Sequence, residues 1–325
     1  MADQNDDPFR QNNDRNETAK PMPRVCSEGK YTLRELPAPR SRRSAASERV
    51  ECSGCCSFSL FPKKSDSAFQ VLPTSLESEE YNMEHTRRGK CVIFNNRTFD
   101  FHTKLSERRG TDLDAENLYL RFNALGFDTV IHQDFKVKQM LFELDRLGNE
   151  DHSRSDCFVC CILSHGDRDV IFGTDGKFPV DSVLEPFRGD VCPSLVGKPK
   201  LFFIQACRGD RLDDGVPVVV DTADAPGQVF RVPTHADFLM CFSTVPGFYS
   251  WRNTTQGSWF VQSLCKVLQQ RARNTDLLTM MTVVCRQVAL YYESSVPGDS
   301  VMDRKKQVPS IVSTLTRLVY FRQKS

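Results

Sequence analysis

The residue most open to chemistry is Cys207, which stands near the end of Lys200-Leu-Phe-Phe-Ile-Gln205-Ala-Cys207-Arg-Gly209. Residues 201–204 are a short, continuous apolar run between Pro199 and Gly209, which suits a central strand covered on both faces. A cysteine at the carboxyl end of such a strand lies where open α/β sheets place their sites. Ser164-His165-Gly166 closes a second strand-like run, Cys157-Phe-Val-Cys-Cys-Ile-Leu163. A thiol near an imidazole is a nucleophile near a proton acceptor. Cys207 would attack a carbonyl, and His165 would hold its proton and give it to the leaving amine.

The elements needed to carry this pair can be read upstream and downstream of it. Cys91-Val-Ile-Phe94 is the first buried strand. Thr111-Asp-Leu-Asp114 has the form of a capping box, and Ala115, Leu118, Tyr119, Phe122 and Leu125 recur on one helical face until Gly126. A strand over 128–132 follows, then a second apolar stripe of Val137, Met140, Leu141, Leu144 and Leu147 closed by Gly148. Strand, helix, strand, helix, then the strands of His165 and Cys207, argue for a largely parallel sheet with helices on both faces. Residues 170–180 contain an Asp175-Gly176 turn and predict a small inserted hairpin. Further on come a strand over 237–243 and a helix face of Phe260, Leu264, Val267 and Leu268. Another face comprises Leu277, Met280, Met281, Val284, Val288 and Tyr291, and a last strand is expected within 315–321. No glycine-rich phosphate loop occurs, which disfavours a nucleotide-binding version of this architecture.

Composition narrows the classes. The chain has 325 residues and a net charge of +1, so neither nucleic acid nor a membrane surface is expected as its main partner. Its thirteen cysteines are odd in number, lack disulfide or metal spacing and often sit inside apolar runs, which is a reduced, cytoplasmic pattern. No metal or cofactor is expected. In that setting the sequons at Asn16, Asn96 and Asn253 would stay unglycosylated. Residues 1–77 are polar, with basic clusters and no sustained period, and read as a disordered prosegment. Within them Cys52-Ser-Gly-Cys55-Cys56 has half the spacing of a zinc site and basic neighbours suited to palmitoylation. Without a second ligand pair, exposed thiols are the favoured reading.

Gln205-Ala-Cys-Arg-Gly209 matches the pattern known around the nucleophile of caspases, whose histidine lies roughly fifty residues upstream. His165 is somewhat nearer. On these residues the chain resembles the caspases over 78–325, and specifically their executioner branch, because residues 1–77 lack the amphipathic repeats of a helix-bundle recruitment domain. The resemblance implies a caspase-type three-layer α/β sandwich with a central, mostly parallel six-stranded sheet flanked by helices. It also implies a single caspase domain over 78–325 that divides into a large region, 78–224, and a small region, 225–325.

The same resemblance implies an aspartate-specific cysteine endopeptidase. Cys207 and His165 would be the reacting pair, the amides of Gly166 and Cys207 the oxyanion donors, and the Ser106 carbonyl the third member. Cutting after aspartate needs paired cationic donors, and the planar fork of arginine suits a carboxylate. Arg108-Arg-Gly-Thr-Asp112 matches a family motif that makes Arg108, in preference to Arg109, one wall of that pocket. Gln205 and Arg252 would be the others. Tyr249 and Trp251 would shape the next subsite, while Asn253 and Trp259 would receive an aspartate four positions before the cut. That gives protein substrates with Asp-x-x-Asp sites. The segment 292–303 departs from the aromatic-rich loop of some relatives.

Residues 209–231 form a linker containing Asp221-Thr-Ala-Asp224, itself an Asp-x-x-Asp sequence. The expectation is a zymogen cut after Asp224, with Asp221 the second choice and Asp66 a candidate for removing the prosegment. By the same resemblance, the partners are an upstream initiator caspase, inhibitor-of-apoptosis proteins and a second copy of the chain, joined through the last strands. The contrasting function is a catalytically silent caspase-like regulator. Such proteins usually lack the cysteine, the histidine or a pocket arginine, and this chain has all of them. A related peptidase cutting after Arg, Lys or Asn would need an acidic or neutral pocket.

Overall fold

The computed structural model describes residues 72–75, 77–213, 234–296 and 298–324. The cysteine cluster 52–56, Asp66, Asp221, Asp224 and the prosegment up to residue 71 lie outside the described residues.

In chain order the first elements are β1 (Lys90–Asn95), α1 (Thr111–Ala124), β2 (Asp128–Gln133), α2 (Val137–Gly148) and β3 (Phe158–Leu163). Next come β4 (Gly166–Asp167), β5 (Val170–Gly173), β6 (Gly176–Pro179), α3 (Asp181–Leu184) and β7 (Lys200–Gln205). The remainder is β8 (Phe238–Phe242), β9 (Arg252–Asn253), β10 (Gly257–Ser258), α4 (Trp259–Arg271), α5 (Leu277–Tyr291) and β11 (Ser310–Ser313). Six strands form one sheet in the order β11-β8-β7-β3-β1-β2. Every neighbouring pair in it is parallel except β8 with β11.

The side-chain period of two sorts the central strands onto two cores. Cys91, Ile93, Val159, Cys161, Leu201, Phe203, Leu239 and Cys241 face a core shared with α1, α4 and α5. Val92, Phe94, Phe158, Cys160, Ile162, Phe202, Ile204 and Phe242 face the other, with Met140, Leu144 and Leu147 of α2 and with Phe187. Both faces of β3 and β7 are buried throughout, which is why these strands read as unbroken apolar runs. β4, β5 and β6 make a separate antiparallel sheet directly after His165, in which Gly173 pairs with Gly176 around the Thr174-Asp175 turn.

Three local expectations are corrected. The last strand is not within 315–321 but is β11, which pairs antiparallel with β8. Residues 315–321 instead run past Glu79, Glu80 and Tyr81, with hydrogen bonds from Leu318 N to Glu79 O (2.8 Å) and from Tyr81 N to Leu318 O (3.0 Å). Their Val319 and Phe321 enter the core, so an apolar run here reports burial and not sheet pairing. Thr111 does not cap α1. The cap is Gly110, at φ 84° and without a side-chain cap bond, because the Thr111 hydroxyl is used in tertiary contacts. Tyr119 and Tyr291, assigned to buried stripes, are exposed at the margins of their helices.

Candidate active site

Strand register places the reacting groups. Leu163 of β3 lies opposite Gln205 of β7, and Asn95 of β1 lies opposite Leu163. His165 and Cys207 therefore each stand two residues beyond the same row, at the carboxyl edge of adjacent parallel strands. Gly166 lets the two turns close on each other. A Cβ at Gly166 would lie 2.7 Å from Cys207 O, 2.9 Å from the Ala206 Cβ and 3.1 Å from Val170 O, so a larger residue would force backbone apart. The hairpin after His165 fixes its backbone, since Phe172 N donates to His165 O at 3.0 Å.

The His165 ring is oriented by one hydrogen bond. Nε2 lies 2.8 Å from the Ser106 carbonyl. A carbonyl only accepts, so Nε2 carries the hydrogen and Nδ1 keeps the lone pair of a base. The Phe99 ring flanks it at 4.8 Å between centroids. Burial, then the nearby Arg108 charge, pulls the imidazole down to about 3, with Arg252 adding to the effect and the Ser106 bond opposing it. Burial also pushes the Cys207 thiol up, partly offset by the Ser250 backbone and the two arginines; Sγ lies 4.0 Å from Ser250 O. The resting pair is thus a neutral thiol and a neutral imidazole. Among the described residues, the Cys207 amide has no hydrogen-bond acceptor.

Arg108 is 1% exposed, whereas the Arg109 side chain is 73% exposed and pairs with Glu107. Arg108 Nη1 donates to Asn96 O (3.0 Å) and to Thr111 Oγ1 (2.7 Å), and Thr111 donates in turn to Asn95 Oδ1 (2.7 Å). Its Nε and Nη2 are buried without a partner. Two cationic donors held this way are costly unless an anion comes to them. Arg252 reaches the same region from β9, its Nε donating to Arg109 O at 2.9 Å.

Gln205 Nε2 donates to Ser250 Oγ (2.9 Å), which continues to Ser243 Oγ (2.8 Å) and on to Ala206 O (3.0 Å). Gln307 joins this chain, donating to Ser243 O (2.7 Å) and accepting from Trp251 N (2.7 Å). The loop bearing Arg252 is therefore locked to the strand end bearing Cys207. Beside it Tyr249, Trp251, Trp259 and Tyr292 form an aromatic series, with Trp251 and Trp259 stacked at 5.6 Å and 17°. Asn253 Oδ1 accepts from Thr255 N, Thr255 Oγ1 and Gln256 N, which turns its amide nitrogen into the remaining polar group. Among the described residues no group of His, Cys, Asp and Glu is clustered to hold a metal ion.

The structure brings Cys207, His165, Gly166, Arg108, Gln205, Arg252, Tyr249, Trp251, Asn253 and Trp259 to one edge of the sheet, while Asp221 and Asp224 fall outside the described residues. Sequence reasoning missed Asn95, Asn96, Thr111, Asp114, Ser243, Ser250, Tyr292 and Gln307. A usable signal existed for the asparagines and Ser243: polar residues that abruptly end apolar strand runs. Nothing local marks Gln307 or Asp114.

A family model for the caspase domain (Peptidase_C14) matches residues 88–320. Caspase-1 of Spodoptera frugiperda is 43% identical over 78% of this chain and 85% of its own length. Caspase drICE of Drosophila melanogaster is 44% identical over 77% of this chain and 75% of its own length. Caspase-3 of Bos taurus is 44% identical over 76% and 89%. The crystal structure of Caspase-1 from Spodoptera frugiperda superposes with a TM-score of 0.73 and 42% identity, covering 78% of this chain and 98% of that one. The chain belongs to the caspases, the cysteine endopeptidases that cut proteins after aspartate. Within them it falls with the effector members that act in apoptosis.

Proposed function

We propose that Cys207 is the nucleophile, His165 its proton shuttle, and Arg108, Gln205 and Arg252 the pocket for the substrate aspartate. The observation that carries this reading is the buried Arg108 guanidinium, whose Nε and Nη2 lack partners. A substrate carboxylate supplies two acceptors for that fork. Gln205 now leaves Oε1 unpartnered. Turning its amide over lets Oε1 accept the Ser250 hydroxyl proton, which swings to it from Ser243, and offers N–H to the same carboxylate.

The chemistry follows from the tautomer. The Cys207 S–H proton passes to His165 Nδ1 as sulfur bonds to the scissile carbonyl carbon. The carbonyl oxygen takes up the charge and is held by the amides of Gly166 and Cys207. Collapse breaks the C–N bond, and the leaving amine takes the proton from Nδ1. Water then attacks the thioester, its proton moving to Nδ1 and on to sulfur as the C–S bond breaks. A bound carboxylate also neutralises the arginines that hold His165 down, so the base strengthens when aspartate is seated.

Asn253, with Trp259 of the aromatic series, is the receptor for an aspartate four residues upstream of the cut. The substrates are thus proteins with Asp-x-x-Asp sites. The zymogen is cut after Asp224 in the linker by an upstream initiator caspase or a like molecule, dividing a large region, 78–224, from a small one, 225–325. Two copies pair through β11, an edge strand whose Val312 is exposed. Inhibitor-of-apoptosis proteins would occupy the cleft. The nine described cysteines are all unpaired, in keeping with a reducing cytoplasm.

The test is turnover of a fluorogenic Asp-Glu-Val-Asp peptide by the protein with its linker cut, beside Cys207→Ala and an Asp-to-Asn peptide. Cleavage lost in both controls is the expected result. Equal cleavage of the Asn peptide would remove the carboxylate pocket from the reading.

A further inference from the structure

Asp114 is a fully buried carboxylate that the mechanism above does not use. It lies one turn into α1, six residues after Arg108, and both its oxygens accept from Ser258 N, at 2.9 and 3.1 Å. Ser258 belongs to β10, the partner of the β9 strand that carries Arg252. The contact is close-fitted: Gly257 has φ 86°, and a Cβ there would lie 2.3 Å from Asp114 Oδ1. Two more contacts press the same hairpin onto the start of α1. Arg252 Nε donates to Arg109 O, and a Cβ at Gly110 would lie 2.6 Å from Asn253 O and 2.9 Å from Thr254 O.

Charge adds a second role. Arg252 is near enough for its charge to disfavour the buried Arg108 guanidinium. Burial and the Arg252 charge pull Arg108 down, and Asp114 opposes them. Yet the hydrogen bonds of Asp114 go to Ser258, and Arg108 Nε and Nη2 stay unpartnered. A carboxylate in direct contact would occupy the very donors that substrate needs. Held one layer back, it offsets the like-charge repulsion and leaves the donors open.

We propose that Asp114 is a positioning residue of the aspartate pocket, pinning the Arg252 hairpin to α1 and balancing the two arginines so that both face the substrate carboxylate. This rests on the pocket assignment made above. Pinning a substrate-binding hairpin is a binding effect, so it appears in KM and leaves the chemical step alone.

Steady-state kinetics of linker-cut protein on the Asp-Glu-Val-Asp peptide test it, comparing the parent with Asp114→Asn and Ser258→Pro. Asn keeps the shape and one acceptor but loses the charge. Pro removes the Ser258 N–H, at a φ of −83° that proline accepts, and its Cδ, standing where that hydrogen was, displaces the Asp114 carboxylate while leaving its charge. Each variant should raise KM by about tenfold, the loss of one charge-assisted hydrogen bond, with kcat within about twofold. An unchanged KM in Asp114→Asn overturns the proposal, and Ser258→Pro decides in the same way if the first variant does not fold. A fall in kcat at constant KM also overturns it. A parent that leaves the Asp peptide uncut defeats the pocket assignment itself, a distinct result.

Discussion

Replacing Arg108 by lysine isolates what the guanidinium contributes beyond charge. The Arg108→Lys variant keeps one positive charge at a site where the native side chain is 1% exposed. The native fork divides its labour: Nη1 is spent on Asn96 O and Thr111 Oγ1, while Nε and Nη2 are buried without a partner, the donors proposed for the substrate carboxylate. An ammonium is a single point and serves one of these tasks at a time. Losing a bidentate contact to a carboxylate therefore costs about 3 kcal/mol, from hydrogen bonds to charged groups of about 1.5 to 3 kcal/mol each. At about 1.36 kcal/mol per tenfold, kcat/KM should fall by roughly a hundredfold or somewhat more. Arg108→Ala goes further, because a substrate carboxylate would then be buried with one partner missing, at about 3 to 5 kcal/mol or roughly 10² to 10⁴ in kcat/KM. The assay is kcat/KM on the Asp peptide, with thermal unfolding of each variant as the control for folding. An independent readout is the His165 titration by NMR, which should move up in Arg108→Ala because the cation that depresses it is gone. A lysine variant within about tenfold of the parent would refute this division of labour.

Gly166→Ala should lower kcat by at least about a hundredfold, the cost of misplacing an oxyanion donor, since the new Cβ would fall 2.7 Å from Cys207 O; parent-like kcat would show that the two turns separate without penalty. His165 links stability to pH. Its folded value is held down to about 3, so below about 6.5 the unfolded chain takes up a proton that the folded chain refuses. The stability this gives is complete above about pH 6.5 and is lost as pH falls towards 3, by about 1.4 kcal/mol per unit. Urea unfolding of the parent and His165→Gln at about pH 7.5 and 5.0 should show their stability difference shifting by about 2 kcal/mol; the same difference at both pH values would contradict a buried neutral imidazole. Asp224→Ala should leave the linker uncut when an active effector caspase is added, read by gel, and complete processing of that variant would move the cut to another residue.

What could be read in the sequence, and what could not, follows from how far each signal travels along the chain. β3 and β7 announced themselves because burial on both faces makes a strand apolar at every position, and the side chains that end those runs, His165 and Cys207, were conspicuous for breaking them. The helices of the first core were legible by their stripes for the same reason, until Tyr119 and Tyr291, where the stripe runs out onto the surface. The pattern misled wherever burial had another cause. Residues 315–321 are apolar because Val319 and Phe321 plug the core, and they pair with no strand of the main sheet. Thr111 had the type and spacing of a cap, but its hydroxyl was already committed to Arg108 and Asn95.

The supporting polar residues were harder to read than the site itself, and for a physical reason. Ser243, Ser250 and Gln307 act through hydrogen bonds to residues distant in sequence, across 64 positions in the Gln307–Ser243 bond, and no period or motif records such a link. Asp114 is separated from Ser258 by 144 positions. Three bonds of this set cross between residues before 214 and residues after 233: Gln205 Nε2 to Ser250 Oγ, Ser243 Oγ to Ala206 O, and Ser258 N to Asp114. That arrangement has a consequence for the linker: the large and small regions proposed here are joined at the site by buried side-chain bonds that do not depend on the backbone between 214 and 233. Cutting that segment should therefore leave the pocket assembled, so that the two fragments copurify and separate only on denaturation. Fragments that part under native conditions after cutting would mean that these bonds are too weak to hold the site without the chain.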